Sequence, residues 1–332
     1  MKKLVNDPRR FVAESLAGFA RAHDDIVRLS LSPAFLVRSS LVEGKVGVLS
    51  GGGSGHEPLH AGFVGHGMLD AAVPGEIFTS PTPDPILAAT REVYRGAGVL
   101  YLVKNYTGDV LNFETAAEFA AAEGIPVRTV VIDDDVAVLN SEFTAGRRGV
   151  AGTVLIEKLV GAAAERGDDL DSLVELATRL VASARSMGVA IASPTVPHSG
   201  KQSFELAADE IEFGIGIHGE RGRSRIGMAR ADELTDLALD AVLTDLPRLP
   251  GERVIAMVNG MGATPVAELY VVYRRLAQRL DELGVQIARS LVGSYVTSLD
   301  MAGFSLTLLT VDDGLLELWD APVHTATLRW GR

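Results

Sequence analysis

An apolar run, Val46-Gly47-Val48-Leu49, leads directly into Ser50-Gly51-Gly52-Gly53-Ser54-Gly55-His56-Glu57-Pro58. Four glycines in five positions leave the backbone almost bare of side chains, so a small polar ligand can reach the N–H groups directly. Such a stretch costs conformational entropy on folding, which a specific contact must offset. The apolar run reads as a short buried strand, and the glycines as a turn at its end with His56 on the rim. That is where an α/β fold opens a small-molecule site. The bland alternative is a tight turn with an incidental histidine, but a plain turn rarely needs four glycines.

The rest of the chain repeats strand, polar loop, helix. Helical spacing covers residues 8–29 (Phe11, Leu16, Phe19, Ile26). A second apolar strand at 98–103 ends in Lys104-Asn105-Tyr106-Thr107-Gly108-Asp109, and Asn112 is a candidate N-cap for a helix over 113–122. A third strand at 127–132 ends in Asp133-Asp134-Asp135, and helices are expected over 149–166 and 170–187. Pro, Ser and Gly then cluster in Ser193-Pro194-Thr195-Val196-Pro197-His198-Ser199-Gly200. Beyond lie strand-like stretches at 204–206 and 210–217, a helix at 231–244, a strong strand at 253–258, a helix at 266–283, and strand-like segments at 290–297 and 304–311. At 332 residues the chain exceeds what one core usually serves. The expected fold is α/β with two domains, each a mostly parallel or mixed sheet flanked by helices. Residues 1–190 would carry the glycine loop and the Lys104–Asp109 segment, and residues 191–332 the second domain.

There are no cysteines, which rules out disulfides, thiolate metal sites and thiol nucleophiles. A net charge of −12, from 43 acidic and 31 basic residues, disfavours nucleic acid as a partner. No apolar run reaches membrane-spanning length, and Met1–Asp7 lacks the apolar core of a signal peptide. The expected location is the cytoplasm.

Familiar signatures fail at the glycine loop. No Gly-Lys-Ser/Thr follows, so it is not a Walker A motif, and His56 stands where a nucleophile elbow would need glycine. Gly214-Ile215-Gly216-Ile217-His218-Gly219 fits G-x-G-x-x-G by letter, but the charged, glycine-broken continuation is not the start of a packed helix. It reads instead as a strand with His218 at its end. That histidine is either a core or turn histidine or a nucleophile, since neutral imidazole attacks a carbonyl when desolvated and oriented. Lys104 is suited to a hydroxyl or anion and Asp109 to accepting a proton, against the alternative of solvated loop charge. Consecutive Asp133, Asp134 and Asp135 alternate in direction and cannot all bind one ion. His56 and His60, four apart, would make a metal pair only on a helix, and Pro58 intervenes. No metal site is expected.

Several segments together resemble one family. Gly51–Pro58, Pro74–Pro83, Lys104–Glu114, Val131–Ala137, Ala145–Gly149, Gly216–Glu220, Gly262–Pro265, Ser298–Met301 and Trp319–His324 are similar, in order, to the dihydroxyacetone kinases, and more closely to their dihydroxyacetone-binding K subunit. The resemblance spans essentially the whole chain.

It implies a transferase of glycerol metabolism. His218 would hold the ketone through Nε2 as a covalent hemiaminal, which glycerol, lacking a carbonyl, cannot form. Gly53, Ser54, Gly55, His56, Lys104 and Asp109 would bind the substrate, and His56, Asp109 and His218 would be catalytic. No cofactor would bind here. Nucleotide and Mg²⁺ would sit on a helical L subunit, recharged through an M subunit of the phosphoenolpyruvate phosphotransferase system. The chain reaches Arg332 without a nucleotide-binding domain, which fits the separate-subunit type; a homodimer is expected by resemblance. A neutral imidazole nucleophile implies activity falling below about pH 6 to 7. The basic run Arg221-Gly222-Arg223-Ser224-Arg225 departs from the family pattern and is either a solvated loop or a docking or anion-binding element. Two alternatives stand beside this reading: a kinase subunit for another short ketose such as erythrulose, and a non-catalytic ketose sensor for a transcription regulator.

Overall fold

The computed structural model describes residues 2–138, 146–246 and 250–331; Ala145, at the start of one family-like segment, lies outside them. The first part contains α1 (Phe11–Ala22), β1 (Val27–Leu31), β2 (Ala34–Arg38), β3 (Gly47–Ser54), β4 (Gly65–His66), β5 (Ala71–Ile77), α2 (Pro83–Val93), β6 (Val99–Lys104), α3 (Thr107–Ala122) and β7 (Val127–Ile132). Six of these strands form a sheet in the order β1-β2-β5-β3-β6-β7. Its β5-β3-β6-β7 stretch is parallel and its β1-β2-β5 edge antiparallel.

Two helices, α4 (Gly152–Arg166) and α5 (Leu170–Ser183), lead to the second sheet. Its region holds β8 (Ala184–Ala192), β9 (Glu210–Phe213), β10 (Ser224–Gly227), α6 (Ala231–Asp245), β11 (Arg253–Gly260), α7 (Val266–Glu282), β12 (Gln286–Gly293) and β13 (Ala302–Val311). The order is β10-β9-β8-β13-β11-β12, with only β11 and β12 parallel. The chain then forms α8 (Asp313–Asp320), β14 (Val323–Thr325) and β15 (Arg329–Trp330). Strand β14 pairs with β4, His324 opposite His66, so this segment returns to the first part of the chain. The architecture is thus two mixed sheets, each flanked by helices.

Strand alternation explains the layering. In β6, Leu100 and Leu102 point into a central core, while Val99, Tyr101 and Val103 face α2 and α3. In β11, Ile255 and Met257 join that same central core, and Val254, Ala256 and Val258 lie beneath α6 and α7. Helix α4 runs between the two sheets, which is why its residues are buried on nearly every face rather than along one stripe. Among the described residues no helix is long and apolar enough to cross a membrane.

Local readings differ from the structure in instructive places. The first helix stops at Ala22, because Val27-Arg28-Leu29-Ser30-Leu31 switches to a period of two and pairs with β2. Residues 184–187 belong to strand β8, not to the helix before it. Helix α3 begins at Thr107, so Asn112 lies inside it; its side chain donates to Pro81 O (2.8 Å) and Ser80 Oγ (3.2 Å). Residues 204–206 form no strand, and β9 ends at Phe213, so His218 sits on a turn beyond it. The glycines at 51–53 are not a turn: β3 runs extended through Ser54. Strand β5 lies so close that a Cβ at Gly51 would stand 2.5 Å from Val73 O.

Candidate active site

His56 follows the end of β3, and its position is fixed from the far part of the chain. Its Nδ1–H donates to Thr297 O at 2.7 Å, across 241 residues of sequence. That bond commits the ring to the tautomer with a lone pair on Nε2. Nε2 is buried and has no hydrogen-bond partner among the described residues. A buried acceptor left open in this way fits a base awaiting a substrate proton.

His218 faces it, the ring centroids 4.8 Å apart. A tight turn carries His218, with Gly219 N donating to Gly216 O at 3.1 Å. One carboxylate fixes the residue twice: Glu220 Oε1 accepts from Nδ1–H at 2.7 Å, and Oε2 accepts from the His218 backbone N–H at 2.9 Å. Glycine is required at 216, where a Cβ would lie 1.9 Å from Glu220 Oε2. With Nδ1 occupied, Nε2 is the free nitrogen. Phe78 stacks on His56 at 5.1 Å and meets His218 edge-on at 5.4 Å, and Tyr106 approaches His218 at 4.5 Å. Phe78 holds a left-handed backbone (φ 55°), a strained state that a site retains only when the surroundings enforce it.

Lys104 ends β6, and Asp109 lies in the first turn of α3. Both are buried, with Lys104 Nζ 3.9 Å from Asp109 Oδ2. That spacing is too long for a hydrogen bond and leaves room for both to approach one hydroxyl oxygen. Nζ also donates to Gly51 O at 3.2 Å and to His60 Nε2 at 2.7 Å. Gly52 makes this possible: a Cβ there would stand 2.5 Å from Nζ.

Burial sets the electrostatics. Desolvation, followed by the fields of His218 and Lys104, holds His56 well below the usual histidine range, so the ring is neutral. Desolvation also lowers Lys104, with Asp109 and Glu157 opposing it. For Glu220 burial favours the neutral acid, but the field and hydrogen bond of His218, with Arg148, prevail and bring its carboxyl down to about 2. The site therefore holds a neutral base beside an ionised carboxylate that orients the facing ring.

The structure brings His56, His218, Lys104 and Asp109 together, with Gly53 and Gly55 beneath them. A Cβ at Gly55 would press on Phe78 at 2.8 Å, and one at Gly53 would stand 2.6 Å from Thr79 N. Ser54 is committed elsewhere: its hydroxyl donates to Gly75 O at 2.7 Å. The three aspartates divide their work. Asp134 accepts from Val150 N at 2.8 Å, Gly152 N at 2.7 Å and Ser186 Oγ. Asp135 pairs with Arg148, whose Nη2 donates to Gly214 O at 2.7 Å and so braces the turn bearing His218. In the basic run, Arg223 donates to Val136 O (2.9 Å), in the segment after β7, and Arg225 pairs with Glu212 (3.0 Å) of β9, so two of its three arginines have fixed partners. No group of three or more His, Asp and Glu side chains placed to hold a metal ion occurs among the described residues. A cavity of about 320 Å³ lies between α1 and β3, lined by Phe11, Leu16, Gly53 and His60 among others; neither His56 nor His218 lines it.

Four contributors carry no local signal. His60 and Glu157 meet only through tertiary pairing 97 residues apart, and Thr297 acts through its backbone carbonyl. Phe78 lies inside the family-like Pro74–Pro83 segment, but nothing in its spacing assigns it to a site.

The Dak1 domain profile matches residues 17–327. The Escherichia coli K12 protein named PEP-dependent dihydroxyacetone kinase, dihydroxyacetone-binding subunit DhaK, is 53% identical over 357 aligned positions, covering 100% of both chains. The crystal structure of the dihydroxyacetone kinase of C. freundii superposes with a TM-score of 0.90 at 36% identity, over 99% of this chain and 60% of that one. The dihydroxyacetone kinase operon co-activator Dha-DhaQ superposes at 0.89 with 37% identity, over 95% and 96%. The chain belongs to the Dak1 domain family, among the DhaK subunits.

Proposed function

We propose that this chain is the ketone-holding subunit of a phosphoenolpyruvate-dependent dihydroxyacetone kinase. It holds dihydroxyacetone as a hemiaminal on His218 while a nucleotide-bearing partner phosphorylates the terminal hydroxyl. The observation that carries the reading is the double hold of Glu220 on His218, which leaves Nε2 free on a ring 4.8 Å from His56, whose own Nε2 is unpartnered among the described residues. In the reaction, the Nε2 lone pair bonds to the carbonyl carbon, the C=O π bond breaks, and the oxygen takes a proton. That proton comes from water, and the ring carries the resulting positive charge, keeping its Nδ1–H in the hydrogen bond to ionised Glu220. Lys104 and Asp109 bracket a hydroxyl. His56 Nε2, neutral and acceptor-only, takes the proton of the terminal hydroxyl as the phosphoryl group arrives, with Asp109 as the second candidate. Nucleotide and Mg²⁺ belong to the partner L subunit, which the M subunit recharges, and this chain supplies positioning.

The test is intact-protein mass spectrometry with dihydroxyacetone, under conditions that preserve hemiaminals, on the wild type and His218→Ala. One adduct mass in the wild type and none in the variant supports the reading; no adduct with dihydroxyacetone, glyceraldehyde or erythrulose removes it. The likeness to the Dha-DhaQ co-activator favours one second reading, ketone binding coupled to gene control. Turnover with the partner subunits separates the two.

A further inference from the structure

The buried groups beyond Lys104 form an ordered array that the proposed chemistry has not used. Lys104 Nζ donates to His60 Nε2 at 2.7 Å, and His60 Nδ1 meets Glu157 Oε1 at 2.6 Å. His60 and Glu157 are buried, 6% and 0% exposed. An ammonium has donors only, so His60 Nε2 must be the acceptor. Nδ1 then carries the ring proton and donates to Glu157 Oε1. That direction is the same whether or not Oε2, which has no hydrogen-bond partner among the described residues, carries a proton. The array therefore has one polarity, from Lys104 through His60 to Glu157.

Its effect falls on the third N–H of Lys104. An ammonium has three, and Gly51 O and His60 Nε2 take two of them. One N–H remains, and Asp109 Oδ2 lies 3.9 Å from Nζ. Without a fixed acceptor at His60, Nζ would turn towards Asp109 and close that gap. We propose that His60 and Glu157 are positioning residues that aim Lys104 at a substrate hydroxyl and keep it from collapsing onto Asp109. The inference rests on the ketone-binding reading above.

Ring volume and acceptor can be separated by substitution. His60→Gln keeps an oxygen acceptor near the place of Nε2, and His60→Leu keeps bulk alone. Glu157→Gln keeps an acceptor for Nδ1–H, and Glu157→Leu does not. Calorimetry with dihydroxyacetone is expected to give a Kd raised about 10- to 100-fold in both leucine variants and changed less than about 3-fold in both glutamine variants. Adduct formation at saturating ketone, which depends on His218, stays at one per chain in all four. Folded leucine variants that bind like wild type overturn the proposal, as do glutamine variants that lose as much as leucine. If the leucine variants do not fold, imidazole ¹⁵N spectra of the wild type decide. Nδ1–H with an unprotonated Nε2 on His60 at neutral pH is required, and the opposite tautomer overturns the array. A wild type that binds no ketone removes the functional reading instead, and the ¹⁵N spectra still judge the array.

Discussion

Glu220→Gln is nearly isosteric, yet it should be costly. The wild-type carboxylate accepts two hydrogen bonds at once, from His218 Nδ1–H at 2.7 Å and from the His218 backbone N–H at 2.9 Å. A carboxamide has one acceptor and one donor, so it can satisfy only one of these. If its oxygen faces the backbone, its NH₂ faces Nδ1 and drives the ring to the tautomer with hydrogen on Nε2, which cannot attack a carbonyl. If it is flipped, a buried backbone N–H opposes an NH₂. The charge has its own value. Against burial, His218 and Arg148 hold the Glu220 carboxyl at about 2, below its ordinary 4.5, so its ionisation also stabilises the folded chain at neutral pH. The folded value is the depressed one. The stabilisation is therefore complete above about pH 4.5 and is lost as pH falls through about 2. Urea unfolding at pH 7 should place the variant about 1–3 kcal/mol below wild type, the cost of one unsatisfied buried group, with the gap shrinking below pH 4.5. Adduct yield at sub-saturating dihydroxyacetone should fall at least about 10-fold. A variant matching wild type in both urea midpoint and adduct yield at pH 7 would refute the assignment of Glu220 as the group that orients His218.

Two further outcomes follow from the same geometry. Burial lowers His56 and His60 below the usual histidine value, so the folded rings stay neutral where unfolded ones take up protons. Their contribution to stability should decline as pH drops below about 6.5, and melting temperatures over pH 7.5–5.5 should show a shallower decline in His56→Asn; equal slopes count against neutral burial of His56. In Gly52→Ala the new Cβ would lie 2.5 Å from Lys104 Nζ, on a backbone with φ 154°, so the ammonium must retreat by about 1 Å. Ketone affinity measured by calorimetry should fall about 10²-fold, and an unchanged Kd would show that Lys104 does not contact the substrate.

Much of this was legible in the sequence, and the failures have causes. His56 and Lys104 follow apolar runs that mark the ends of buried strands, but for Lys104, Asp109 and His218 the residues alone leave a structural alternative open, and only the family resemblance assigns them a role. Asn112 looked like a cap because Ala and Glu follow it, but the helix starts five residues earlier with the site itself in its first turn. Strand β8 was hidden because Ala184, Met187 and Ala190 have no β propensity of their own; pairing with β13 and β9 decides their state. Gly51–Gly53 looked like a turn because glycine usually signals one, whereas here it admits the neighbouring strand. Glu157 gives no signal, and His60 is weighed only as a metal partner of His56, because a contact between distant, unpatterned positions leaves no periodic trace.

The bond between His56 and Thr297 O has a consequence for how variation at this site would read. The group that sets the tautomer is main chain, so any residue that keeps the 294–301 path can supply it. A substitution scan would score position 297 for its hydroxyl, which donates to Glu57 O at 2.8 Å, and miss the carbonyl. A one-residue insertion between β12 and β13 would displace the carbonyl that sets the His56 tautomer, with every histidine still in place. Transplanting the glycine segment onto another scaffold would likewise carry the ring without its instruction.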